Sequence, residues 1–257
     1  MRKIQVAAAL VMSLGLSLMP AAAQPAAKEV TLFWPGGSDP AIQAIVPGLE
    51  AKTGYKINLV INEGATVRKQ IVAGEPFDVA VLQVPYPDVT ASGNIDLKTE
   101  KRVSGLVVGV VVKKGAPKPD VSTPDALKKT LLAAKSVAYP DPAGGAAVGV
   151  SFQATLDKMG LADQIKAKAN LQKNIGGVMQ VVAKGDSDIG LAFLSYLVNP
   201  GIDGAGILPE SVSPRVLLVG YVSTHAKDPA AAQAVLDYLS SPAASAVFVA
   251  HNMAPAK

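Results

Sequence analysis

"IVAGEPFDVAVLQV" at residues 71–84 and "VVAKGDSDIGLAFLS" at residues 181–195 follow one plan. In each, an apolar helical end runs into Gly, an acidic residue and a short turn, then Asp and an apolar run of strand length. Gly74 and Gly185 taken singly are ordinary helix C-caps. Two copies about 110 residues apart, each feeding a strand, predict two similar lobes.

The rest of the chain extends this pattern. Apolar runs of strand length fall at Val30 to Phe33, Ile57 to Ile61, Val79 to Val84, Leu106 to Val112, Ser136 to Tyr139, Ile189 to Leu194 and Val216 to Val222. Between them, Ile42, Ile45, Val46 and Leu49 take the i, i+3, i+4, i+7 spacing of a buried helix face. Phe152, Leu156 and Met159 repeat it, as do Ala232, Val235, Leu236 and Leu239. Alternating strands and helices imply an α/β fold, each lobe a mainly parallel sheet flanked by helices.

"VVKKGAPKPDVSTPDALKK" (111–129) reads as the exit from a long strand into a Pro-rich connection. The expected organisation is therefore 24–103 with 205–257 as lobe I and 104–204 as lobe II, the last strand and helix returning to the first lobe. Asp39-Pro40 and Asp228-Pro229 mark helix starts, each an N-cap acceptor before a Pro at the first helical position.

Residues 1–23 are expected to be a secretory signal peptide. Arg2 and Lys3 precede an uncharged apolar run from Val6 to Leu18, and Ala21-Ala22-Ala23 supplies an A-x-A cleavage site. The mature protein is then expected in the periplasm. Without Arg2 and Lys3 the 24 basic residues fall to 22 against 20 acidic ones, a net charge of +2. So small an excess, with no interleaving of basic and aromatic residues, gives no support to nucleic acid as a partner. The chain has no Cys, which removes disulfides and thiol catalysis.

Ligands of open α/β sheets collect at the carboxyl ends of strands, where helix N-termini present free N–H groups. Four segments have that placement: Pro35 to Asp39, Asn62 to Arg68, Asp141 to Gly149 and Asn174 to Gly177. Each is rich in Gly or Ala, which allows close approach to backbone amides. Together they predict an interlobe cleft for a small anion, bound through amides, the Ser38 and Thr66 hydroxyls and the Arg68 fork. Trp34 and Pro35 are expected to make one wall apolar. No P-loop, G-x-S-x-G, catalytic triad or metal-ligand spacing accompanies His225 and His251. No catalytic residue, metal or cofactor is assigned.

"EVTLF", "LEAKTGYKINLV", "RKQIVAGEPFDVAV", "GVSFQATLDKMG" and "VVAKGDSDIGLAF", in that order, resemble the bacterial periplasmic solute-binding proteins of the molybdate-binding type. The resemblance runs from Val30 to Met253 and implies two lobes joined by crossing strands, a ligand between them, and an inner-membrane ABC permease as partner. The protein is expected to be a monomer. With the loop residues read above, the expected site comprises Gly36, Gly37, Ser38, Gly64, Ala65, Thr66, Arg68, Val148, Gly149, Asn174, Ile175 and Phe193. Molybdate binders carry serines in the first two loops and a tyrosine after the second-lobe strand, where this chain has Gly37, Gly64 or Ala65, and Phe193. Lost hydroxyl donors of about 1 to 3 kcal/mol each shift the expected ligand from molybdate to an organic carboxylate.

"PGGS", "IVPGLEAKTG", "KKGAPKPDVSTPDALKKTL", "KSVAYPD" and "NPGIDGAGILPE" resemble the branch that contains bacterial aconitate isomerase. That resemblance implies, as an alternative function, an allylic proton shift served by a base and an acid. Glu63, Asp141 and Tyr139 are the nearby candidates.

Overall fold

A computed structural model describes residues 28–83 and 86–256. The expected signal peptide lies outside the described residues. Ten strands form two five-stranded sheets of the same plan. The first has the order β2 (Lys56–Asn62), β1 (Glu29–Pro35), β3 (Val79–Gln83), β10 (Val216–Ser223), β4 (Ile95–Leu106). The second has β7 (Ala169–Gln172), β6 (Val137–Pro140), β8 (Ile189–Phe193), β5 (Val108–Lys113), β9 (Ile202–Ile207).

In each sheet four strands run one way and one is reversed, β10 in the first and β5 in the second. The reversed strand is the one the chain enters on arrival from the other sheet. It passes over at Val107 and returns between Ile207 and Val216. The expectation of mainly parallel sheets is met, and the two halves of the internal repeat lead into β3 and β8, which hold matching positions.

Three strands were not expected: β4, β7 and β9. All three are sheet edges. Strand β4 is interrupted by Asp96, Lys98, Glu100, Lys101 and Arg102, β7 reads ANLQ, and β9 is Gly-rich, so none shows the continuous apolar run of a strand covered on both faces. The run Leu106 to Val112 is in fact two strands, broken at Val107 where the chain changes sheet.

Helices α1 (Asp39–Thr53), α2 (Gly64–Val72) and α3 (Pro87–Ser92) follow the first three strands; α4 (Pro124–Ala133), α5 (Ala147–Met159), α6 (Ala162–Lys166) and α7 (Ile175–Lys184) flank the second sheet. The last two, α8 (Pro229–Leu239) and α9 (Pro242–Ala250), return to the first sheet. The apolar faces read from the sequence are buried: Ile42, Ile45 and Leu49 in α1, Phe152 and Leu156 in α5, Val235, Leu236 and Leu239 in α8. Asp228 caps α8 by accepting the Ala231 N–H at 3.1 Å. Asp39, in contrast, is the first residue of α1 and Ser38 the residue before it, so the start lies one residue earlier than the Asp-Pro pair suggested.

Register places the functional loops. Strand β1 pairs with β2 from Glu29↔Lys56 to Pro35↔Asn62, and β6 with β7 from Val137↔Ala169 to Pro140↔Gln172. Both pairs therefore end level. The first residue of each exit is tied across its pair, Gly36 N–H to Asn62 O at 2.7 Å and Asp141 N–H to Gln172 O at 2.8 Å. The loops opening α1, α2, α5 and α7 are thus held in matching places by the two sheets.

Candidate functional site: a cavity between the strand ends of the two sheets

A cavity of about 400 Å³ lies where the carboxyl ends of the strands of both sheets meet. From the first sheet it is lined by Gly36, Gly37 and Asp39, by the segment Ile61 to Ala65, and by Gln83 at the end of β3. The second sheet contributes Gly144 to Val148, Lys173 to Gly176, and Phe193 and Tyr196 after β8.

Of the residues read from sequence, Gly36, Gly37, Gly64, Ala65, Val148, Asn174, Ile175 and Phe193 come together on this wall. Ser38, Thr66, Arg68 and Gly149 do not. Ser38 is fully buried, and its Oγ accepts the Trp34 Nε1–H at 2.9 Å. Trp34 itself turns into the core and stacks on Phe248 with ring centroids 5.9 Å apart, so neither Trp34 nor Pro35 lines the cavity as expected. Thr66 is exposed and outside the wall. Arg68 Nε donates to both oxygens of Asp88 at 2.8 and 2.7 Å, and its guanidinium lies 5.0 Å from the Tyr86 ring centroid. That cation binds α2 to α3. Gly149 stands behind the first turn of α5, pressed against the Pro140 carbonyl.

Several expected donors are already engaged. Gly36 N–H bonds Asn62 O, and Gly37 N–H bonds Asp39 Oδ1 at 3.2 Å. Asn174 uses its side chain as the N-cap of α7, accepting the Gly177 N–H at 3.0 Å. What remains is at three helix starts. Among the described residues the N–H groups of Gly64 and Ala65, of Ala147 and Val148, and of Ile175 and Gly176 make no intrachain hydrogen bond. These are the orphan donors of α2, α5 and α7, and their residues all line the cavity.

Sequence reasoning missed Lys173, Gln83 and Tyr196. Lys173 is the one cation on the wall, and among the described residues it forms no ion pair or hydrogen bond. It immediately precedes the Asn174 cap, a position the loop argument could have included. Gln83 is 5% exposed and closes a buried strand at its carboxyl end, where a polar side chain is itself a signal. Its amide donates to Gly36 O at 3.4 Å and fills the space that a Cβ at Gly64 would need. Tyr196 belongs to a 3-10 turn, Leu194–Tyr196, for which the sequence has no periodic signature.

The acid–base candidates also change. Asp141 accepts the Ala143 N–H at 2.9 Å as a turn cap, and Tyr139 is a core ring packed edge-on to Phe152 at 5.1 Å. Neither lines the cavity. Glu63 does, and so does Asp39. Burial pushes the Asp39 carboxyl above the usual carboxylate range, against the opposing pull of nearby backbone N–H groups, chiefly that of Gly37. The Tyr196 hydroxyl is also raised, by burial and then by the charge of Asp39.

The two sheets touch at this wall. Ser195 Oγ–H donates to Gly37 O at 2.6 Å, a buried hydrogen bond between them. The Phe193 ring covers Gly37, whose φ of +105° and lack of a Cβ permit that approach.

Residues 30–253 match the family model described as bacterial extracellular solute-binding protein. The chain belongs to that family. It is similar to an aconitate isomerase from a Pseudomonas species, 32% identical over 229 residues, covering 86% of this chain and 85% of the relative. It is also 30% identical over 256 residues to the molybdate-binding protein ModA of Azotobacter vinelandii, covering 95% and 96% of the two chains. The substrate binding domain assigned to a molybdenum ABC transporter of Clostridium difficile shares the fold at a TM-score of 0.75 and 16% identity, covering 89% of this chain and 99% of that one. The two sheets with their helices are therefore the two-lobe periplasmic-binding-protein-like fold of this extracellular solute-binding family.

Proposed function

We propose that the protein is a monomeric periplasmic solute-binding protein. Its two lobes, 24–103 with 205–257 and 104–204, hinge at the crossings and close on a small organic carboxylate for delivery to an inner-membrane ABC permease. The donor set of the cavity carries this reading. Three helix starts and Lys173 offer positive ends to an anion, while the only lining hydroxyl among the described residues is that of Tyr196. A dry tetrahedral oxyanion needs donors on every oxygen, and here two carboxylates share the wall. A cavity of about 400 Å³ also lies within the roughly 300 to 1,000 Å³ of small-molecule sites, room for a ligand larger than four oxygens.

A thermal-shift series of molybdate, sulfate, fumarate, citrate and trans-aconitate tests the reading. Carboxylates are expected to raise the melting temperature and molybdate to leave it unchanged; a response to molybdate alone sinks it. Lys173→Gln should weaken carboxylate binding on the order of tenfold by calorimetry, with the melting temperature of the free protein retained.

A second reading, an aconitate-isomerase-like enzyme, is favoured by Asp39, Glu63 and Tyr196 on one wall, groups able to take an allylic proton from one carbon and return it to another. Incubation with trans-aconitate and detection of the cis isomer decides it. Turnover that falls at least a hundredfold in Asp39→Asn or Glu63→Gln supports enzymatic use of that carboxylate; no conversion above the blank removes this reading.

A further inference from the structure

The cavity carries two carboxylates, Asp39 and Glu63, against one ammonium, Lys173. A carboxylate ligand entering it adds negative charge to a wall already negative by one. The two acidic groups differ in their means of relief. Glu63 is exposed, so water screens it. Asp39 is half-buried at the first turn of α1 and has no cationic partner among the described residues. Its hydrogen-bond partner is the Gly37 N–H at 3.2 Å. Tyr196, from the turn after β8, is close enough to feel its charge, and the other titratable groups on the cavity wall are Glu63 from the loop opening α2 and Lys173 from the loop opening α7.

We propose, resting on the organic-acid reading above, that Asp39 takes up one proton from solvent when a carboxylate ligand enters, and that the neutral carboxyl then donates a hydrogen bond to a ligand oxygen. The free protein is already inclined to this, because burial holds the Asp39 carboxyl above its ordinary range. A ligand carboxylate beside it adds like-charge repulsion in the same direction, and the two carboxyl groups then share one proton. Linkage sets the sign. While the pH lies between the pKa of Asp39 in the free protein and its higher value in the complex, affinity rises about tenfold for each unit of acidification.

The test is calorimetric titration of the whole protein with fumarate and with trans-aconitate, between about pH 6 and 8, where ordinary carboxyls stay ionised. Comparing buffers of different ionisation enthalpy counts the protons. Net proton uptake on binding, up to one proton per ligand, with Kd falling as pH falls, is expected for the unaltered protein and needs no variant. Asp39→Asn should bind with no proton uptake and a flat pH profile, tighter than the unaltered protein at the alkaline end. Glu63→Gln should keep the uptake. Binding of either acid without proton uptake, or uptake that persists in Asp39→Asn, overturns the proposal and leaves the organic-acid reading standing. Failure of every carboxylate to bind overturns both.

Discussion

Gly149 and Gly37 show how single residues hold the wall. A Cβ at Gly149 would meet the carbonyl oxygen of Pro140, a backbone atom that cannot swing aside. Gly149→Ala must therefore push the start of α5 away from β6, at about 1 to 3 kcal/mol, measurable by urea unfolding. A Cβ at Gly37 would stand 2.8 Å from Phe193 Cδ2, at a φ that L-residues rarely adopt. Gly37→Ala should cost a similar amount through backbone strain and should also weaken ligand binding, because it separates the surfaces that meet there. Gly37 was legible in the sequence as a residue of the first loop, but its partner was not. The ring that demands the missing Cβ comes from 156 positions further on, and no local pattern encodes that approach. Ser38 and Arg68 illustrate the reverse case: their chemistry suited an anion, yet Trp34 and Asp88 already hold them.

At the scale of elements, helix starts set the backbone donors that line the cavity. Asn174 orients the first turn of α7 by capping Gly177 N–H. Asn174→Ala should destabilise the protein by about 1 kcal/mol. Asn174→Asp should keep the cap and the melting temperature but weaken binding of an anionic ligand on the order of tenfold, through a new charge beside the cavity. A structural role alone would not separate those two readouts. The four loops were visible as Gly- and Ala-rich segments between a strand and a helix. The edge strands β4, β7 and β9 were not, since a half-exposed ladder has no need of a continuous apolar run.

For the whole molecule, stability against pH and the closure of the two sheets are the testable properties. Glu50, Asp88, Asp120, Asp228 and Asp237 are held below their ordinary ranges, first by hydrogen bonds to Lys56, Arg68, Ser122, Lys28 and Lys101 respectively. Such groups favour the folded state above their unfolded pKa values of 3.8 for Asp and 4.5 for Glu, and that contribution is lost as pH falls through the lower folded values. Asp39 acts with the opposite sign: its raised folded pKa makes the ionised form a cost, relieved as pH falls toward 3.8. Because the carboxylates with lowered values are largely solvent-exposed and screened, the melting temperature should fall gradually below about pH 4, and Asp39→Asn should raise it slightly at neutral pH. In the proposed hinge closure, the Ser195–Gly37 bond helps to hold the two sheets together. Ser195→Ala removes about 1 kcal/mol from the closed arrangement, so the ligand-free variant should scatter X-rays as a larger particle and bind about fivefold more weakly.

Local pattern was enough for the alternation of strands and helices, the repeated unit, the α8 cap and the loops that would face a ligand, because apolar periodicity, caps and Gly placement act over a few neighbouring residues. Only the tertiary structure decided which of the polar residues in and around those loops remain free. Trp34 took Ser38, Asp88 took Arg68, and Asn174 took its own helix, while Gln83 and Asp39 each kept one backbone contact and joined Lys173 and Glu63 on the wall of one cavity. A hydrogen bond or ion pair is settled by proximity in space, and in this chain that proximity is made by strand register and the crossing of the chain between two sheets.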